Sequence, residues 1–288
     1  MMSKAKIALL LLIVSFATFH ANASQHDIAG DSAVIERPVT SSYSLEWGST
    51  TIVDTYLSPL KYNGQSLSLS GSWLKAMRQN PQRLIMSFDA SIHASQALSP
   101  AKNSRLYEMG IGFSWSMLHR WRPIDGLQLA AGGSTMLDVG AIYLARNSNN
   151  PVSAQASVDI ALAGMASYTF KIGKLPIKVS DRLSLPIVGA FFSPDYGETY
   201  YEIYLGNHSG LAHCGWWGNH FRIDNLLSAD ISLGSVALRL GYRMNIKSSF
   251  VNNINTRINS HALVVGLTSD WLNVTMPKEN TISIPAIY

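Results

Sequence analysis

The feature that most constrains this chain is a strict two-residue alternation from Ser235 to Lys247. Val236, Leu238, Leu240, Tyr242, Met244 and Ile246 fall on one face. Ala237, Arg239, Gly241, Arg243, Asn245 and Lys247 fall on the other. Successive side chains of a strand point to opposite faces, whereas a helix would scatter these residues around its circumference. One face is wholly apolar, and the other carries three cations. The segment before it repeats the logic: Phe221, Ile223, Leu227, Ala229 and Ile231 oppose Arg222, Asp224, Ser228, Asp230 and Ser232, and Gly234-Ser235 supplies a tight turn between the two.

The same pattern recurs along the chain. Tyr107, Met109, Ile111, Phe113 and Trp115 oppose Glu108, Gly110, Gly112, Ser114 and Ser116. Leu84, Met86, Phe88, Ala90 and Ile92 oppose Arg83, Ser87, Asp89, Ser91 and His93. Apolar faces opposite small polar ones, in segments of about ten residues separated by turn residues, are the signature of a β-barrel with lipid outside and a polar interior. A soluble sandwich also alternates, but its outer faces would be rich in Lys and Glu. Charged residues are only 14% of this chain, against about 25% in soluble domains.

Ten spans are expected, near 41–54, 62–77, 82–94, 104–117, 127–145, 152–170, 175–192, 221–232, 236–247 and 257–269. Short connections (Asn80-Pro81, His119 to Gly126, Ile172 to Lys174, Gly234-Ser235) then fall at one end. Longer polar ones (Thr55 to Lys61, Ser95 to Asn103, Asn147 to Pro151, Ser193 to Asn219, Ser248 to Thr256) fall at the other. That parity is the one expected of an outer-membrane barrel. Ser193 to Asn219 reads as one long outer loop. Tyr200 to Tyr204 inside it could be strand, and a hairpin there, or a strand in the tail, would raise the count to twelve.

The N-terminus carries Lys4 and Lys6, an apolar run from Ile7, and Ala21-Asn22-Ala23, which together read as a cleaved signal peptide over 1–23. A flexible segment over 24–40 and a barrel domain over 41–288 follow. Removing the two lysines of the peptide from 22 basic residues leaves 20 against 18 acidic ones. The near balance gives no support to nucleic-acid binding. Cys214 is the single cysteine, so neither an intramolecular disulfide nor a thiolate metal cluster can form. No P-loop, dinucleotide fingerprint or EF-hand is present, and neither a cofactor nor a metal is expected. The expected partners are outer-membrane lipid and the barrel-assembly machinery, which commonly reads an aromatic last residue such as Tyr288.

Chemistry concentrates in the long loop. Its stretch from Gly206 to His220 holds His208, Ser209, His213, Cys214, Trp216, Trp217 and His220, and leads into Asp224. A serine and histidines at a barrel rim resemble the ingredients of outer-membrane acyl hydrolases. In that reading Ser209 is the nucleophile, His208, His213 or His220 the base, and Asp224 or Asn219 the orienting group. Those enzymes place His and Ser two apart on one strand face, whereas His208 and Ser209 are adjacent and would point apart. The histidine spacings of five and seven match no standard metal pattern. The interior charges Arg83, Asp89, Glu108, Asp138, Asp159, Arg222, Asp224, Asp230, Arg239 and Arg243 have mixed signs. Mixed signs favour a lumen plugged by ion pairs over a narrow pore.

The runs Asp54 to Gly64, Phe192 to Gly197 and Leu238 to Arg243 resemble uncharacterised outer-membrane β-barrel proteins of Bacteroidota, a family of unknown function. The resemblance spans most of the mature chain and implies fold and location. The expected function is that of a non-enzymatic outer-membrane barrel with a structural, surface-interaction or small-solute role.

Overall fold

The computed structural model describes residues 34–148, 150–207, 210–271 and 281–283. The expected signal peptide and the aromatic C-terminus at Tyr288 lie outside the described residues. Two short strands, β1 (Val34–Glu36) and β13 (Thr281–Ser283), form a separate parallel pair.

The main body is an antiparallel sheet that closes on itself. Its strands are β2 (Val39–Asp54), β3 (Ser58–Ala76), β4 (Leu84–Leu98), β5 (Arg105–Ile124), β6 (Leu127–Leu144), β7 (Val152–Ile172) and β8 (Leu175–Phe192), followed by β9 (Ala212–Trp216), β10 (His220–Ser232), β11 (Val236–Val251) and β12 (Ile254–Trp271). Neighbours in sequence pair in order. β12 pairs with β2, and β10 pairs with β8, which closes the ring at ten full strands. The short β9 pairs with the loop end of β8, from Val188 to Phe192.

Closure explains the alternation. With each of the ten full strands paired on both sides, the two faces become an outside and a lumen. Leu45, Trp47, Ile92, Met109, Ile160, Leu162 and Leu263 stand exposed on the outside; Trp47 is 55% and Leu263 64% exposed. Ser42, Ser44, Glu46, Glu108, Asp138, Asp159 and Asp230 are buried in the lumen. Glycine permits close strand approach where the wall curves. A Cβ on Gly48 would lie 1.9 Å from the His261 carbonyl oxygen.

Several connections are shorter than the sequence implies, because the strands run on past the apolar pattern. β5 continues to Ile124 through an irregularity between Trp121 and Ile124, leaving Asp125-Gly126 as the turn. β11 and β12 reach Val251 and Ile254 and meet at Asn252-Asn253. Both asparagines have positive φ, 50° and 62°, the conformation of a type I′ hairpin, for which Asn is suited. The expected loop Ser248 to Thr256 is therefore strand and tight turn. Tyr200–Tyr204 is not strand but a short helix, α1. Its start is fixed by a capping box, in which Glu202 N–H donates to the Thr199 hydroxyl and Thr199 N–H to the Glu202 carboxylate.

Candidate functional site

A ten-stranded ring is wider than its own wall side chains fill when small, and the serine-rich lumen here is occupied in three zones. At the loop end an apolar cluster of Ile52, Leu57, Tyr62, Leu106, Ile142, Leu144 and Ile258 fills the bore. At the turn end a second cluster joins Leu74, Ile85, Leu118, Ala130, Ala163 and Met165. There the Arg120 guanidinium also donates to the Pro81 and Gln82 carbonyl oxygens.

Between the clusters lies a network of paired charges. Arg243 bridges Glu46 at 3.1 Å and Asp224 at 2.9 Å. Asp138 accepts from Arg222 at 3.1 Å and from Lys247 at 2.8 Å. Arg239 forms a two-pronged pair with Asp230 at 2.7 and 2.8 Å. Arg182 reaches Asp89 and the Ser72 and Ser87 hydroxyls, and His93 meets Glu108 at 2.8 Å. A charge removed from water must be compensated by a partner and hydrogen bonds, and alternating signs on adjacent strands provide this. Polar cavities of about 90 and 80 Å³ remain between the pairs. The Arg222 Nε and Thr50 Oγ1 atoms there have no protein partner, and spaces of this size and polarity suit bound water.

A cap covers the loop end. The Tyr56 hydroxyl donates to the Glu198 carbonyl oxygen at 2.6 Å, and the Tyr56 ring meets Tyr200 edge-on at 6.0 Å. The Glu198 carboxylate accepts from the Asn207 amide and from Asp195 N–H. The Tyr200 hydroxyl accepts from Ala154 N–H. Burial, followed by the neighbouring Tyr200 and Glu198, pushes the Tyr56 hydroxyl up to about 12. It therefore remains a donor at any physiological pH.

Of the residues singled out from sequence, His208 and Ser209 lie outside the described residues. His213 and His220 both pack against Phe191, at ring distances of 5.5 and 4.6 Å. His213 Nε2 donates to the Ser193 backbone carbonyl, not to its hydroxyl, and His220 Nε2 lies 3.3 Å from Asp159. Asp224 belongs to the Arg243 network, where it also accepts from Asn245, and it meets neither histidine. Among the described residues no group of three His, Cys, Asp or Glu side chains could hold a metal ion. Arg83 sits exposed in the β3–β4 turn, where its N–H bonds Asn80, and not in the lumen. Lys247 and His93 stand in the lumen as their alternation implies, whereas Glu46, Lys178 and Arg182 are lumenal charges that the sequence reading missed. Those on β8 are obscured by Pro176 and Pro186, which interrupt its alternation.

The fold and site define a closed ten-stranded antiparallel β-barrel, apolar outside, with an ion-paired and capped interior. The chain belongs to the family described as "Protein of unknown function (DUF3316)", whose model matches residues 7–278. No curated protein matches. Solved structures with a similar chain path include the outer membrane protease OmpT from Escherichia coli, at 7% identity and a TM-score of 0.47, covering 81% of this chain and 97% of that one. The transport unit of the autotransporter AIDA-I from Escherichia coli matches at 6% identity and 0.47, over 91% and 97%. Neisserial surface protein A matches at 12% identity and 0.33, over 80% and 97%. These likenesses carry no activity over to this chain.

Proposed function

We propose that this protein is a non-conducting outer-membrane barrel of a Gram-negative bacterium, of the Bacteroidota by the resemblance of its sequence, and that its ordered cap is the working surface. Export through a signal peptide at 1–23 and insertion by the barrel-assembly machinery precede that role. The outward band of exposed apolar side chains supports residence in lipid. The turn end then faces the periplasm and the cap the exterior. The observation that carries the non-conducting reading is the occupied bore, sealed by the Ile52–Leu106–Ile258 cluster and crossed by mutually paired charges. A conducting pore needs a wet path, and commonly shows rings of one sign. Planar-bilayer recording of the purified full-length protein tests this. A silent bilayer is expected, and reproducible single-channel steps from the wild-type protein would sink the reading.

A further inference from the structure

The wall of the barrel is interrupted in one region of its loop end. The short β9 is wedged between β8 and β10 and ladders with β8 alone. The ladder between the two long strands covers residues 177–184 of β8 and 224–231 of β10. Residues 220–223 of β10 are therefore laddered only on the β11 side, and a seam runs between β9 and β10. At the seam stands Trp217, exposed, whose indole N–H donates to the Pro186 carbonyl oxygen. Behind it is a cavity of about 50 Å³ lined in part by Phe191, His220, Arg222, Lys247 and Ser249, room for a group of a few atoms.

One row of this wall is laid out around His220. Asp159 on β7 pairs with Gly189 on β8, and Gly189 with Gly215 on β9. His220 comes next, and Ser249 stands directly opposite it on β11. The two glycines keep the inner face bare between acid and imidazole. A Cβ on Gly189 would lie 2.2 Å from Asp159 Oδ1, and one on Gly215 3.1 Å from the His220 Cβ. The imidazole is stacked on Phe191 at 4.6 Å and 11°, with Nε2 3.3 Å from the buried Asp159 carboxylate. The other oxygen of that carboxylate accepts from the Ser157 hydroxyl at 3.0 Å. His220 Nδ1, the ring nitrogen nearer the backbone, is buried without a protein partner. Directly opposite residues hold their Cβ atoms about 5 Å apart, which puts the Ser249 hydroxyl within reach of it. Arg222, only 7% exposed, lines the same cavity, and its Nε has no protein partner either.

We propose that Ser249, His220 and Asp159 form a hydrolytic site for long-chain carboxylic esters, drawn through the seam from the surrounding lipid; that source rests on the membrane reading above. Ser249 is the nucleophile, His220 the base, Asp159 the residue that positions the imidazole, and Arg222 the donor to the oxyanion. Ser249 Oγ adds to the ester carbonyl while Nδ1 takes its proton, and the alcohol leaves with that proton. Water then adds to the acyl-serine, its proton passes through Nδ1 to Ser249, and the carboxylic acid is released. The cavity holds the ester group, and the chain stays outside along Ile187 and Val188, which stand exposed. A pair that only filled the lumen would need neither a serine in register nor a vacant Nδ1. Of the residues singled out from sequence for such chemistry, His220 alone belongs to this site. Ser249 and Asp159 join it through strand register, which no local motif records.

Incubating the full-length protein, extracted from fractionated outer membranes, with a long-chain alkyl fluorophosphonate tests the proposal. Peptide mass spectrometry should find the phosphonyl group on Ser249, and His220→Asn should slow its attachment about a hundredfold. Ser249→Ala should abolish hydrolysis of p-nitrophenyl decanoate while the heat-modifiable gel shift of the folded barrel is kept. Asp159→Asn should lower kcat at least about tenfold with KM nearly unchanged, a split expected of a positioning residue and not of a filler. Should that variant fail to fold, labelling of the wild-type protein still decides. A folded wild-type protein unlabelled at Ser249, or hydrolysis that survives Ser249→Ala, overturns the proposal. Faster labelling by the long-chain reagent than by its ethyl counterpart supports the lipid source, and equal rates overturn that source. A chain that fractionates away from the outer membrane overturns the membrane reading, whereas an unlabelled barrel within that membrane overturns the site alone.

Discussion

Arg243 illustrates what single residues decide in this protein. Its guanidinium lies between Glu46 on β2 and Asp224 on β10, and it alone bridges those two carboxylates. Removing it takes from both lumenal carboxylates the ion-pair partner they share. Breaking a buried pair from one side costs more than the pair itself is worth, because the remaining charge stays desolvated. Arg243→Ala should therefore destabilise the barrel by roughly 3 kcal/mol, read as a lower urea midpoint for unfolding in lipid vesicles, while Arg243→Lys should lose less. The alternation of Ser235 to Lys247 announces Arg243 as lumenal without any structure. Glu46 is less visible, because Trp47-Gly48-Ser49 blurs the pattern beside it. Asp181 on β8 and Asn225 on β10, which hydrogen-bond to one another on the outward face, are invisible for a different reason: each is the lone polar exception on the apolar face of its own strand, and periodicity averages exceptions away.

At the scale of elements, strand existence was legible and strand ends were not. The outward apolar pattern stops before the hydrogen-bonded ladder does. β11 thus runs to Val251 although its clean alternation ends at Lys247. The tight turn beyond it depends on Asn253 at φ 62°. A β-branched residue there pays the left-handed penalty, so Asn253→Val should cost about 1–2 kcal/mol. Asn253→Gly should stay within about 1 kcal/mol of wild type, since glycine adopts positive φ freely. Unfolding midpoints of the two variants, measured side by side, check the ordering. Tyr200–Tyr204 shows the opposite failure of pattern. Three aromatic residues favour a strand by propensity, yet the Thr199–Glu202 capping box starts a helix there.

For the whole molecule, the seal at the loop end is the property on which function turns. Leu106, Ile142 and Ile258 come from three strands and meet only in the bore. Replacing all three by Ala should lower stability by several kcal/mol, as large-to-small core changes do, yet leave the hydrogen-bonded ring closed. That variant should show small conductance steps in a planar bilayer where the wild-type protein is silent. A silent triple variant would mean that the cap and the charge network seal the lumen without the cluster. Closure itself rests on the β8–β10 pairing, which joins residues separated by the entire capping segment.

Local patterning was enough to determine that the chain forms about ten antiparallel strands with an apolar outside and a charged inside, because side-chain direction along a strand depends only on parity. It also determined which end carries the long segment between β8 and β10. Which charges pair, how the bore is sealed, and where His213 and His220 come to rest against Phe191 were decided by closure. Those outcomes depend on register between strands far apart in the chain, and register is a property of the closed ring.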